Sequence, residues 1–196
     1  YQTSQVNPQT SWWPRFDKFR QGVATLGGGD ISVEAGGNIN SLFLSAPTNA
    51  RLGGDKTKPA DINNLVMQGG GDIVVRAGGD VKDGLVFIAK GEGHVTAGGA
   101  LESRVALQDG HVQLTAVGDV TILDAFNPTA YKQSSNNSDS GNNGVALVFH
   151  SYGDTDTGIR ALSRAGDAVL KSKYASDKGV AYPARLAALA PQGSVR

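Results

Sequence analysis

Short apolar strands recur along this chain between glycine-rich corners. Gly27–Ile39 (GGGDISVEAGGNI), Gly69–Val81 (GGGDIVVRAGGDV), Gly91–Leu101 (GEGHVTAGGAL) and Asp109–Val120 (DGHVQLTAVGDV) share one phase. Their alanines, Ala35, Ala77, Ala97 and Ala116, lie 42, 20 and 19 residues apart. The first gap reads as about two periods, with Asn40–Pro47 (NSLFLSAP) as the strand of the missing turn. A second apolar strand precedes each Gly-x-Val/Ile corner: Gly22–Leu26, Asn64–Gln68, Leu85–Lys90, Ser103–Gln108 and Leu186–Pro191. Weaker copies stand at Val145–Phe149 and Gly158–Leu170.

A period near 20 is too short for a βαβ unit of ~30 residues or a propeller blade of ~40. It suits one coil of a parallel β-helix, in which three short strands wind once around and hydrogen-bond to the next coil at ~4.8 Å. The sequence therefore predicts an all-β solenoid, with six to eight coils over residues 21–196. Alternation predicts that Ile31/Val33, Ile73/Val75 and Val112/Leu114 point inward and stack. The corners need residues that tolerate positive φ or close backbone approach, which selects Gly, Asn and Asp. One predicted set of corners is Gly29-Asp30, Gly71-Asp72, Gly93-His94 and Gly110-His111. The other is Gly37-Asn38, Gly79-Asp80, Gly99-Ala100 and Gly118-Asp119.

Composition narrows the function classes. Lys+Arg and Asp+Glu number 18 each, so no net charge favours nucleic acid or an anionic membrane. There is no cysteine, which excludes a disulfide scaffold, a thiolate zinc site and a cysteine nucleophile. No apolar run reaches the ~20 residues of a membrane-spanning helix. No signal peptide is visible. The chain starts at Tyr1 and stops within the repeat pattern at QGSVR, so it reads as a piece of a longer protein.

Three segments interrupt the repeat. In residues 1–20, Trp12, Trp13, Phe16 and Phe19 share a helical face, with Ser11 and Pro14 suited to its first turn. This predicts a short N-terminal helical, aromatic segment capping the first coil, with a carbohydrate platform as the functional alternative. Residues 47–63 read as a loop, and the Ser/Asn-rich residues 126–144 as an insertion. Ala184–Ala190 (ARLAALA) has helical propensity, but the repeat phase predicts a strand there.

Those repeats, with Ser11–Asp30 (SWWPRFDKFRQGVATLGGGD) and Tyr182–Val195 (YPARLAALAPQGSV), resemble exoproteins of the filamentous haemagglutinin family. In particular they look like the uncharacterised haemagglutinin-like outer-membrane protein domain of its large members. The resemblance covers most of the chain and is most specific in the W-W-x-R-F-x-x-F-x-x-G-V-x-x-L-G-G-G-D stretch. It implies a right-handed, single-stranded parallel β-helix in a secreted adhesin at the bacterial cell surface. It also implies export by two-partner secretion through an outer-membrane β-barrel transporter. The family's N-terminal secretion domain is not visible, so contact with the transporter would lie in another part of the protein. The host-cell or glycan receptor is unspecified, and further coils of the same protein are implied partners.

Catalytic and ligand-binding motifs are sparse. GGGDI leads into a β-branched run with no Lys-Ser/Thr, which excludes a phosphate loop. The period is not the nine residues of a calcium roll. GDTDTG at Gly153–Gly158 holds Asp154 and Asp156 but lacks the later Glu of an EF-hand loop. His94 and His111 are predicted to stack on the Asp72 corner, a ladder that would titrate near neutrality. The outward strand positions Ser32, Glu34, Val74, Arg76, Thr96, Gln113 and Thr115 carry no acidic cluster, against the carboxylate pair of a glycosidase. The reading is a structural, adhesive segment with no catalytic role, metal or cofactor. A polysaccharide-active enzyme and a carbohydrate-binding module are the alternatives.

Overall fold

The computed structural model describes residues 19–52, 65–127, 156–171 and 185–196. The described residues are all-β and contain no helix. The strands are β1 Val23–Ala24, β2 Ile31–Ala35, β3 Ile39–Asn40, β4 Phe43–Ala46, β5 Thr48–Leu52, β6 Leu65–Gly69 and β7 Ile73–Ala77. They continue as β8 Val81–Ile88, β9 Gly91–Ala97, β10 Leu101–Leu107, β11 Gly110–Ala116, β12 Val120–Phe126, β13 Gly158–Ser163, β14 Ala168–Leu170 and β15 Arg185–Leu189.

Two parallel sheets hold all but two of these strands. One has the order β1-β4-β8-β10-β12-β14, with β3 also paired to β8. The other has the order β2-β7-β9-β11-β13-β15. From β7 onward, consecutive strands alternate between the sheets, so every strand pairs with its counterpart one period away. This arrangement is compatible with a parallel β-helix. The expected strand at Leu186–Pro191 forms as β15, because pairing with β13 overrides the helix propensity of ARLAALA.

The core draws on both sheets at once. Ile73, Val75, Val112, Leu114 and Ile159 from one sheet cluster with Val86, Ile88, Val105, Leu107 and Val120 from the other. Ile31/Val33, Ile73/Val75 and Val112/Leu114 are the inward positions, as alternation predicts, with Val33 only partly buried. Each fully buried Val, Leu or Ile contributes roughly 1.5–3 kcal/mol over its exposed state. No single turn can bury its apolar face alone, so this term depends on the neighbouring turn being in place.

Among the described residues, each turn from β7 to β14 has two strands where three were expected, and the structure changes the sequence reading in three further places. The 42-residue gap is one turn and not two: β2 pairs directly with β7, Ile31 opposite Ile73. Thr48–Leu52 and Leu65–Gly69 stand outside the two parallel sheets as an antiparallel pair, β5–β6, with Thr48 opposite Gly69. Asn64–Gln68 therefore belongs to that pair, and the predicted loop over 47–63 begins with strand. Second, β15 lies in the β2–β7 sheet, whereas Leu85–Lys90 and Ser103–Gln108, grouped with it by sequence, lie in the opposite one. Third, the Gly93-His94 corner is displaced by two residues. Gly91 and not Gly93 aligns with Gly110, and Gly93 pairs with Ile73 and Val112. The expected N-terminal helical cap, including Trp12, Trp13 and Phe16, lies outside the described residues, as do Val145–Phe149 and nearly all of 126–144.

Candidate functional site

Two columns of corner residues run along the stack, and their chemistry follows from the backbone. In the first column Gly29, Gly71, Gly91 and Gly110 have φ of +117°, +144°, +140° and +118°. This left-handed region favours glycine. Gly71, Gly91 and Gly110 also lie against the carbonyl of the glycine one turn before, so a Cβ on Gly71 would overlap Gly29 O and one on Gly110 would overlap Gly91 O. The residue after each glycine points out of the corner: Asp30, Asp72, Glu92 and His111. The Asp72 N–H donates to Asp30 Oδ1 at 2.9 Å, and the Glu92 N–H to Asp72 Oδ1 at 2.8 Å. Glu92 Oε1 in turn lies 3.0 Å from His111 Nδ1.

The second column repeats the device. The Asp80 N–H donates to Asn38 Oδ1, Ala100 N–H to Asp80 Oδ1, Asp167 N–H to Asp119 Oδ1 and Ser194 N–H to Asp167 Oδ1, all at 2.8–2.9 Å. Glycine precedes each residue that donates its N–H, because the accepting oxygen occupies the space of a Cβ. Such an atom on Gly79 would meet Asn38 Oδ1, on Gly99 Asp80 Oδ1 and on Gly166 Asp119 Oδ1. The N–H of Ala100, with Lys82 Nζ 2.9 Å from Oδ2, holds the Asp80 carboxyl below the ordinary aspartate range.

A third polar cluster was not anticipated from sequence. Ser41 and Asp83 adopt φ of +51° and +50°, unusual for non-glycine residues. The Ser41 hydroxyl donates to Asp83 Oδ2 at 3.3 Å, and Arg104 Nη1 donates to Asp83 Oδ1 at 2.6 Å. The Arg104 bond depresses the Asp83 pKa. Asp83-Gly84 is a turn dipeptide and was the one available signal; nothing in the sequence marks Ser41.

Beyond the corners, the outer face of the β2–β7 sheet presents two rows. One is Ser32, Val74, His94, Gln113 and Arg160; the other is Glu34, Arg76, Thr96, Thr115 and Leu162. Among these rows Glu34 is the one carboxylate, and it is ion-paired with Arg76 at 2.6 Å. His94 therefore stands on the open strand face and not on the Asp72 corner, while His111 does reach that column. Glu92, overlooked in the sequence, takes the place expected for His94.

The corner columns thus carry carboxylates in successive layers, about 4.8 Å apart by strand spacing. Asp30 and Asp72 each accept the next turn's N–H, and Glu92 pairs with His111. Their primary work is to lock one turn to the next. Among the described residues no group of three or more His, Asp or Glu side chains is arranged to hold a metal ion. Phe19 is 40% exposed and is the one member of the aromatic set within the described residues. Comparison with known proteins finds no matching family model, no matching curated protein and no matching solved structure.

Proposed function

We propose that this chain is a non-catalytic structural and adhesive segment of a large secreted bacterial exoprotein of the filamentous haemagglutinin type. The two parallel sheets are then two faces of a right-handed, single-stranded parallel β-helix, with residues 1–20 as its aromatic cap. Export is by two-partner secretion through an outer-membrane β-barrel transporter, contacted by another part of the protein. The carrying observation is the strand alternation between two parallel sheets, with equivalent positions paired about 20 residues apart. Such a stack gains length by adding layers and holds a distal surface away from the cell. The polar groups at its corners are engaged in joining layers, which fits a scaffold better than a reaction centre.

The purified segment is tested on a glycan array and on host-cell monolayers, alongside acidic and neutral polysaccharides assayed for depolymerisation. Attachment without depolymerisation is the expected outcome, and chain cleavage overturns the reading. The enzymatic alternative has one specific observation behind it: Asp30, Asp72 and Glu92 in successive layers approach the ~5–10 Å carboxylate spacing of glycosidases. Cleavage abolished by Asp72→Asn would establish it. Glycan binding lost on Trp12→Ala and Trp13→Ala would place recognition in the aromatic segment.

A further inference from the structure

His111 touches the turn on either side of its own. Its Nδ1 lies 3.0 Å from Glu92 Oε1 on β9, and its Nε2 lies 3.7 Å from Asp156 Oδ2, just ahead of β13. The same junction carries a second link, from the Gly110 N–H to Thr157 Oγ1 at 3.4 Å. Asp156 and Thr157 lead directly into β13. β13 then pairs with β11 from His111 opposite Gly158 onward.

We propose that His111 is a proton-dependent clasp that fixes the start of β13 to the two preceding turns. The imidazolium hydrogen-bonds Glu92 through Nδ1 and carries the charge that pairs with the Asp156 carboxylate across 3.7 Å. The neutral ring has no charge to pair with Asp156, and it donates to Glu92 only in the tautomer that keeps the proton on Nδ1. The clasp is closed with the proton on and half-open with it off.

The charged groups around it support this direction. Glu92 from β9 and Asp156 ahead of β13 are both anionic. Asp72, just ahead of β7 and one layer further, accepts the Glu92 N–H, and Asp109 belongs to the turn that leads into β11. Arg160 on β13 and His94 on β9 both stand opposite Gln113, two positions along. The Glu92 hydrogen bond, opposed by partial burial and aided by the Glu92 charge, by a hydrogen bond to the Asp156 backbone and by the Asp156 charge, raises the His111 pKa above that of a free histidine. Because the folded-state value is the raised one, the contribution to stability is complete below the unfolded value of about 6.5. It is lost as pH rises through the folded value.

The test combines a histidine NMR titration of the full chain with amide exchange at β13, corrected for intrinsic rates. His111 is expected to titrate above 6.5, and Glu92→Gln to lower its pKa more than Asp156→Asn, in keeping with the shorter contact. Protection of Ile159–Ser163 is expected to be several-fold greater at pH 5.5 than at pH 8, with the difference abolished in His111→Gln. The two carboxylate variants leave the histidine in place, so they remain informative if His111→Gln folds poorly. An unperturbed titration, indifference to both carboxylate substitutions, or pH-independent exchange at β13 would overturn the proposal.

Discussion

An alanine at Gly99 would put its methyl where Asp80 Oδ1 now sits, displacing the oxygen that accepts the Ala100 N–H. At Gly118 the same change meets less, because Ala100 offers no side-chain oxygen. The nearest atom to a methyl there would be Gly99 O at 3.2 Å. Neither glycine has positive φ, so backbone strain is not the difference. Gly99→Ala is expected to cost about 1–3 kcal/mol and Gly118→Ala clearly less, within the usual range for point substitutions. Denaturant unfolding of the two variants checks the order, and equal losses would refute this account of the Gly-Asx pairs. The Gly-Asx dipeptides were visible in the sequence as corners. That each Asx side chain serves the following turn was not, because a hydrogen bond across 20 or 42 residues leaves no local signature.

Among elements, the inward row of the β2–β7 sheet runs Ile31, Ile73, Gly93, Val112, Ile159, Leu186. Gly93 leaves a gap in it, and the Ile88 side chain fills the gap: a Cβ at Gly93 would lie 2.7 Å from Ile88 Cδ1 and 3.1 Å from Val112 Cγ2. Gly93→Ala is therefore expected to overpack the core by about 1–3 kcal/mol. Ile88→Val alone should cost about 0.5–1.5 kcal/mol by leaving space. The double variant is expected to lose less than the sum, since the methyl added at one site enters the space vacated at the other. A double-mutant cycle with no favourable coupling would show that these two strands do not share the gap. This glycine also explains the misplaced corner. Gly91-Glu92-Gly93-His94 offers two Gly-x pairs, and only stacking shows that the first turns the chain while the second packs inside. The change of period from 20 to 19 has a similar origin. Asp83 is an extra residue in β8, opposite a register shift in β10, whereas Leu101–Leu107 runs without it. The alternation of the strands and their inward faces were legible because burial imposes period two. The antiparallel pair β5–β6 was not, because its strands carry no signal separating them from a turn of the stack.

At the scale of the whole molecule, layered stability implies an exposed cross-section wherever a stack has no further layer. Among the described residues, β15 is the last strand of its sheet. Leu186 occupies the inward row opposite Ile159, yet it is 43% exposed whereas Ile159 is 1% exposed. Val195 bridges Ala168 in the other sheet and is 57% exposed against 1% for its partner. The same positions one layer inward are core, so the exposure comes from position in the stack and not from residue type. An uncovered apolar cross-section bordered by free strand edges favours pairing with another chain. The isolated 196-residue chain is accordingly expected to self-associate with increasing concentration. Leu186→Lys combined with Val195→Lys should suppress this by charging the cross-section. Both side chains are already half in solvent, so circular dichroism of the variant should keep the β-rich spectrum of the parent. Sedimentation velocity over a hundredfold concentration range measures the effect. A chain that stays monomeric throughout, or a doubly charged variant that associates as strongly as the parent, would show that this end of the stack is already covered.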